Sequence, residues 1–176
     1  MNHRRFEVWS RREALGLGAL ASAGFLGLGT SLRSTSVRTG VLGPLDDIEA
    51  QLARNPQLRF PNLRATLVRY APNADTRVMY AESPPGLLLL LWKCPHLGCT
   101  LMLCESSGWF ECPCHGARFN EIGEYRFGPP PRGMDRHPLR VTHGGDLVAD
   151  TRNRVLGPPR GTATLRTPPR GPHCVG

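Results

Sequence analysis

Cys94, His96, Cys112 and His115 are the residues through which this 176-residue chain could do chemistry. They stand in two short loops, CPHLGC from Cys94 and CPCHG from Cys112. Each loop offers one thiolate and one imidazole, as C-x-H and then C-x-x-H. Fifteen residues lie between His96 and Cys112, enough for a hairpin that brings both loops to one tip. Two thiolates and two imidazoles form a structural zinc set. They also form the set of an iron–sulfur cluster with two Cys on one iron and two His on the other. The common zinc finger pairs both Cys and then both His, whereas here each loop carries one of each. Each loop also has a further thiol, Cys99 and Cys114, placed to meet across the tip, and a zinc site has no use for a bridge that would lock the loops together.

These paired loops resemble the Rieske iron–sulfur proteins, in particular the Rieske subunit of cytochrome bc-type quinol:cytochrome c oxidoreductases. The resemblance implies a [2Fe–2S] cluster on Cys94, His96, Cys112 and His115, and a disulfide between Cys99 and Cys114. It implies that His115 meets the quinol and that Leu97 and Gly98 form part of the docking surface. Gly128-Pro129-Pro130-Pro131-Arg132 is similar to the Gly-Pro-x-Pro segment that covers the cluster tip in that family, with Pro129 and Pro131 as its cover. Proline fixes φ and removes a donor, so such a run makes a stiff lid rather than a strand. A non-redox zinc module is the outside alternative.

One departure from the family pattern follows Gly116. High-potential Rieske proteins carry Ser and Tyr where this chain has Ala117 and Phe119. The missing hydroxyls would donate to cluster sulfurs, which stabilises the reduced cluster and raises its potential. The expectation is a low potential, with menaquinol favoured over ubiquinol as donor.

The elements that must position these loops read as strands. The predicted runs are Ala65–Tyr70, Arg77–Tyr80 and Leu87–Trp92, and Trp109–Glu111 leads into the second loop. Leu139–Thr142 and Asp146–Asp150 flank His143-Gly144-Gly145 as a closing hairpin. Five leucines, Leu87–Leu91, suit a strand buried on both faces and leading straight to Cys94. Asp46–Arg54 reads as one short helix, capped by Asp46 or Asp47, with Ile48 and Leu52 on one face. The expected fold class is all-β: a small antiparallel Rieske-type domain with two cluster-binding loops, preceded by one transmembrane helix.

Ala14–Leu32 is 19 residues without a charge, behind a flank holding Arg4, Arg5, Arg11 and Arg12. At ~1.5 Å per residue it reaches ~28 Å, near the hydrocarbon thickness of a bilayer. Small residues paired at i, i+4, such as Ala14/Gly18 and Ala19/Ala23, suit packing against partner helices. The segment is therefore read as an uncleaved anchor, with the positive flank in the cytoplasm. Ser10-Arg11-Arg12-Glu13-Ala14-Leu15 resembles a twin-arginine export signal. The expected location is the bacterial cytoplasmic membrane, single-pass, with the Rieske domain on the outer face.

The divisions read as a cytoplasmic N-terminus (1–13), an anchor (14–32), a linker (33–44), the Rieske domain (45–151) and a Pro/Gly/Arg-rich tail (152–176). The tail is read as too poor to bury a core, and as wrapping a partner or moving freely. Cys104 is read as a buried thiol, Cys174 receives no role, and His137 and His143 take surface or turn roles. The net charge of +8 would suit nucleic acid, but the arginines form no periodic basic stretch and no nucleic-acid motif is present. The expected partners are cytochrome b-type and cytochrome c-type subunits, a quinol and the membrane. The competing assignment is the small Rieske subunit of another exported oxidoreductase, of the arsenite oxidase kind.

Overall fold

The computed structural model describes residues 40–175, so the predicted anchor at Ala14–Leu32 and the twin-arginine segment lie outside the described residues. Among the described residues no helix is long and apolar enough to cross a membrane.

The chain runs through β1 (Val41–Pro44), α1 (Leu45–Arg54), β2 (Gln57–Phe60), β3 (Ala65–Arg69), α2 (Ala74–Met79) and β4 (Leu87–Leu91). It continues through β5 (Met102–Leu103), β6 (Phe110–Glu111), β7 (Arg118–Phe119), β8 (Tyr125–Phe127), β9 (Arg136–His137), β10 (Leu139–Val141) and β11 (Asp146–Ala149). The strands form three antiparallel sheets, ordered β1-β11-β10, β2-β3-β4-β9 and β5-β6-β7-β8.

The leucine run of β4 explains how the sheets share a core. Successive side chains of a strand point to opposite faces. Leu88 and Leu90 pack with Val68, Phe110, Phe119, Ile122 and Met134, together with Cys94 and Cys112. Leu87 and Leu89 pack instead with Ile48, Leu52, Leu67, Leu139 and Leu147. One strand thus serves two cores, and the first lies directly behind the two cysteines of the loops. Truncating either fully buried Leu88 or Leu89 to Ala removes about 2–5 kcal/mol.

Three local expectations are corrected. Arg77–Tyr80 is not a strand but the end of α2 and its C-cap. Asn73 accepts from the Thr76 N–H while the Thr76 hydroxyl accepts from the Asn73 N–H, both at 2.8 Å. That reciprocal cap nucleates a helical turn and overrides the strand preference of Val78 and Tyr80. Val41–Pro44, read as the end of a linker, is β1 and pairs with β11. α1 begins at Leu45 with no side-chain cap; Asp46 and Asp47 lie in its first turn, where their charge favours the helix dipole. Ile48 and Leu52 are its buried face, as expected.

Candidate metal centre

The two loops spring from two different sheets. β4 delivers Cys94, and the loop closes through Cys94 N–H to Cys99 O at 2.8 Å and Gly98 N–H to Cys94 O at 3.0 Å. Gly98 takes φ +82°, a conformation that suits glycine. The β6–β7 hairpin delivers Cys112, and its loop closes in the same way. Cys112 N–H donates to Ala117 O at 2.8 Å and Gly116 N–H to Cys112 O at 3.0 Å.

The geometry brings the four candidate ligands to one tip. Cys94 and Cys112 are each only 2% exposed and are the two free cysteines. The rings of His96 and His115 lie 4.9 Å apart, edge to face. His96 is half-buried and His115 exposed. Cys99 and Cys114 are joined by a disulfide that ties one loop to the other, with the Cys112 sulfur within 4.8 Å of both its atoms.

Burial first, with the neighbouring Cys112 adding to it, pushes the Cys94 thiol up to about 11, against backbone N–H groups of His96 and Leu97 that favour the thiolate. Cys94, beside a second buried thiol at Cys112, is therefore a poor free acid. A metal that takes them as thiolates removes that difficulty.

The segment expected to act as a lid, Gly128–Arg132, lies against both loops. Gly128 packs so closely on the second loop's exit that a Cβ there would lie 2.7 Å from the Cα of Ala117. Its carbonyl accepts from the Tyr125 hydroxyl at 2.7 Å. Four residues on, Arg132 lines a cleft of about 280 Å³ with Lys93, Arg154 and the first loop from Cys94 to Gly98. Pro130 is buried, whereas Pro129 and Pro131 are exposed. Leu97, at 74% exposure, is the most open apolar side chain of the first loop. His137 bonds the Asn153 carbonyl at 2.7 Å, and His143 is exposed in the β10–β11 turn.

A family model described as Rieske [2Fe-2S] domain matches residues 71–141, a stretch that contains both loops and the lid. Residues 71–141 form a Rieske domain. The chain is 36% identical over 101 residues to the ubiquinol-cytochrome c reductase iron-sulfur subunit of Rhodobacter capsulatus, covering 56% of this chain and 48% of that one. It is 26% identical over 99 residues to the cytochrome b6-f complex iron-sulfur subunit of Chlorobaculum tepidum, covering 56% and 53%. The chain thus spans about half the length of these curated relatives. Among solved structures, the plasma membrane Rieske protein of the cyanobacterium Synechocystis is similar at a TM-score of 0.42 and 23% identity, over 62% of this chain and 97% of that one.

The Rieske domain implies a [2Fe–2S] cluster. The donor set fits it. Two free buried thiols and two facing imidazoles share one tip, and the remaining cysteines of both loops are consumed by the disulfide.

The sequence reading of the tail is corrected. Cys104 is not a free thiol: it is bonded to Cys174. Residues 162–175 pack on their own domain through two buried carboxylates. Glu124 accepts from Tyr80, Asn120, Arg126 and the N–H of Thr164. Glu111 accepts from Ser107, His173 and the N–H groups of Cys174 and Val175. Burial alone would raise the Glu111 carboxyl, but the bonds from His173, Ser107, Val175 and Cys174 outweigh it and hold the group below its usual value. One sequence signal was available: six cysteines less two cluster ligands leaves four, enough for two bridges.

Proposed function

We propose that this chain is the membrane-anchored Rieske electron-transfer subunit of a quinol:cytochrome c oxidoreductase, taking an electron and a proton from a quinol and passing the electron to a cytochrome c-type haem. The observation that carries the reading is the tip itself: buried Cys94 and Cys112 behind facing His96 and His115, with His115 exposed. Cys94 and Cys112 would hold one iron, His96 and His115 the other. When bound, the cluster supplies one-electron chemistry at a potential set by its ligands and by hydrogen bonds to its sulfurs.

The chain's own residues supply the rest. His115 is exposed, and with one ring nitrogen on the iron its outer nitrogen, once it has released its own proton, would accept a hydrogen bond and then the proton from the quinol hydroxyl. Leu97 and Gly98 give the quinol or the haem protein an apolar surface to dock on. Pro129 and Pro131, in a stiff run pinned at Gly128 and Arg132, shield the cluster from water. Ala117 and Phe119, 1% and 0% exposed, stand beside the second loop without a hydroxyl to donate. That favours menaquinol as the donor.

Ala14–Leu32 is the anchor in this reading, and the domain lies on the outer face of a bacterial cytoplasmic membrane. Four cysteines engaged in disulfides support an oxidising compartment. Its relatives, an iron-sulfur subunit of a ubiquinol-cytochrome c reductase and one of a cytochrome b6-f complex, support cytochrome partners.

The test is purification from native membranes under mild detergent. A co-purifying cytochrome b subunit, with menaquinol-dependent reduction of the centre, is the expected result. A molybdenum-containing partner in its place would assign the chain to an arsenite oxidase-like enzyme.

A further inference from the structure

Glu111 and Arg118 face each other across β6 and β7, and the second ligand loop springs from that pair. The last described residues of the tail lie on both. His173 Nδ1 meets Glu111 Oε1 at 2.7 Å, and the N–H groups of Cys174 and Val175 donate to Oε2 at 2.8 and 2.9 Å. Arg118 in turn donates to the Val175 carbonyl at 2.8 Å. Cys174 is bonded to Cys104, just beyond β5, and the His173 ring lies 5.4 Å from that of Trp109. Arg170 N–H donates to Ser107 O at 2.9 Å, so the tail follows the β5–β6 turn before it reaches the stem.

We propose that His173, Cys174 and Val175 act as a latch on the stem of the second ligand loop, positioning Cys112 and His115 for the cluster. The proposal rests on the reading of that loop as a ligand loop. Its physical basis is the Glu111 carboxylate, which is fully buried and next to Cys112 in the chain. A buried carboxylate must be hydrogen-bonded on all sides or it destabilises its surroundings. Three of the carboxylate's four hydrogen-bond partners come from the tail; Ser107 alone remains if the tail leaves. Arg118 would lose its acceptor at the same moment. Both losses fall on the two residues that frame the loop. Among the described residues, no backbone hydrogen bond joins His173–Val175 to the first loop. The latch therefore acts on one side of the cluster.

The test compares the full-length protein with Cys174→Ser and with a chain stopped after Pro172. Hydrogen exchange is read at the amides of Cys112 and Gly116, which close the second loop, and of Cys94 and Gly98, which close the first. Losing one or two such bonds speeds local opening on the order of ten-fold. The expected result is that acceleration at Cys112 and Gly116 with Cys94 and Gly98 unchanged, and faster iron release to a chelator. Cys174→Ser keeps the tail at its full length, so it decides the matter if the truncated chain fails to fold. Equal acceleration in both loops, or none in either, would overturn the latch. A purified protein without iron would instead count against the cluster reading, while the exchange comparison would still judge the latch.

Discussion

The rings of His96 and His115 meet edge to face, 4.9 Å between centroids at 80°, although they stand on separate loops delivered by different sheets. The Cys99–Cys114 bridge fixes one loop against the other beside them. Replacing either histidine by Ala should reduce bound iron to background, because one iron of the pair loses half its protein ligands. His143→Ala, in an exposed turn, should leave iron content unchanged. Iron analysis of the three purified proteins checks this, and iron retained in the His115→Ala protein would refute His115 as a ligand.

Cys99→Ser should weaken cluster retention without removing a ligand. The bridge closes a sequence separation of 15. A loop of that size gives about 3 kcal/mol in the chain-entropy account. Thermal unfolding of the variant should shift down accordingly, and its visible absorbance should bleach faster at a fixed temperature. An unchanged bleaching rate would show that the bridge does not brace the tip.

Tyr80 should make the domain sensitive to alkali. Burial first, and the Glu124 charge second, push its phenol far above the ordinary value of 10.0. A group whose folded value is raised contributes stability that is fully present below the unfolded value and is lost as pH rises through the folded one. The melting temperature should therefore decline as pH climbs above 10, and Tyr80→Phe should flatten that decline. Melting curves across this range check it. Parallel curves for the two proteins would contradict it.

Restoring the hydroxyls as Ala117→Ser plus Phe119→Tyr should raise the midpoint potential by on the order of 100 mV, within the ~450 mV spread of Rieske centres. Both positions are fully buried beside the second loop. The Cys94 sulfur keeps backbone donors from His96 and Leu97, so the native protein is not without support for its reduced state. A redox titration showing no shift would remove the argument for menaquinol.

The loops were legible because metal ligands and loop cysteines announce themselves by residue type and spacing. The leucine run was legible because burial on both faces removes the alternation that half-buried strands show. α2 was not, because Val78 and Tyr80 speak for a strand and only the Asn73–Thr76 cap, a local geometry, reverses them. The tail was misjudged for a related reason. It lacks apolar residues, which speaks for a segment that wraps a partner or moves freely rather than one that packs on its own domain. It docks instead through Glu111, Glu124 and a second disulfide, which are polar and covalent devices invisible to hydrophobic pattern.

Redox titration of the purified full-length protein, followed by EPR of its reduced form, tests mixed Cys/His ligation most directly. The account predicts a coloured protein with a Rieske-type signal and a midpoint between roughly −150 and +300 mV, because His on one iron lifts the potential. A colourless protein with bound zinc, or a midpoint near the ~−400 mV of all-cysteine plant-type clusters, would contradict it.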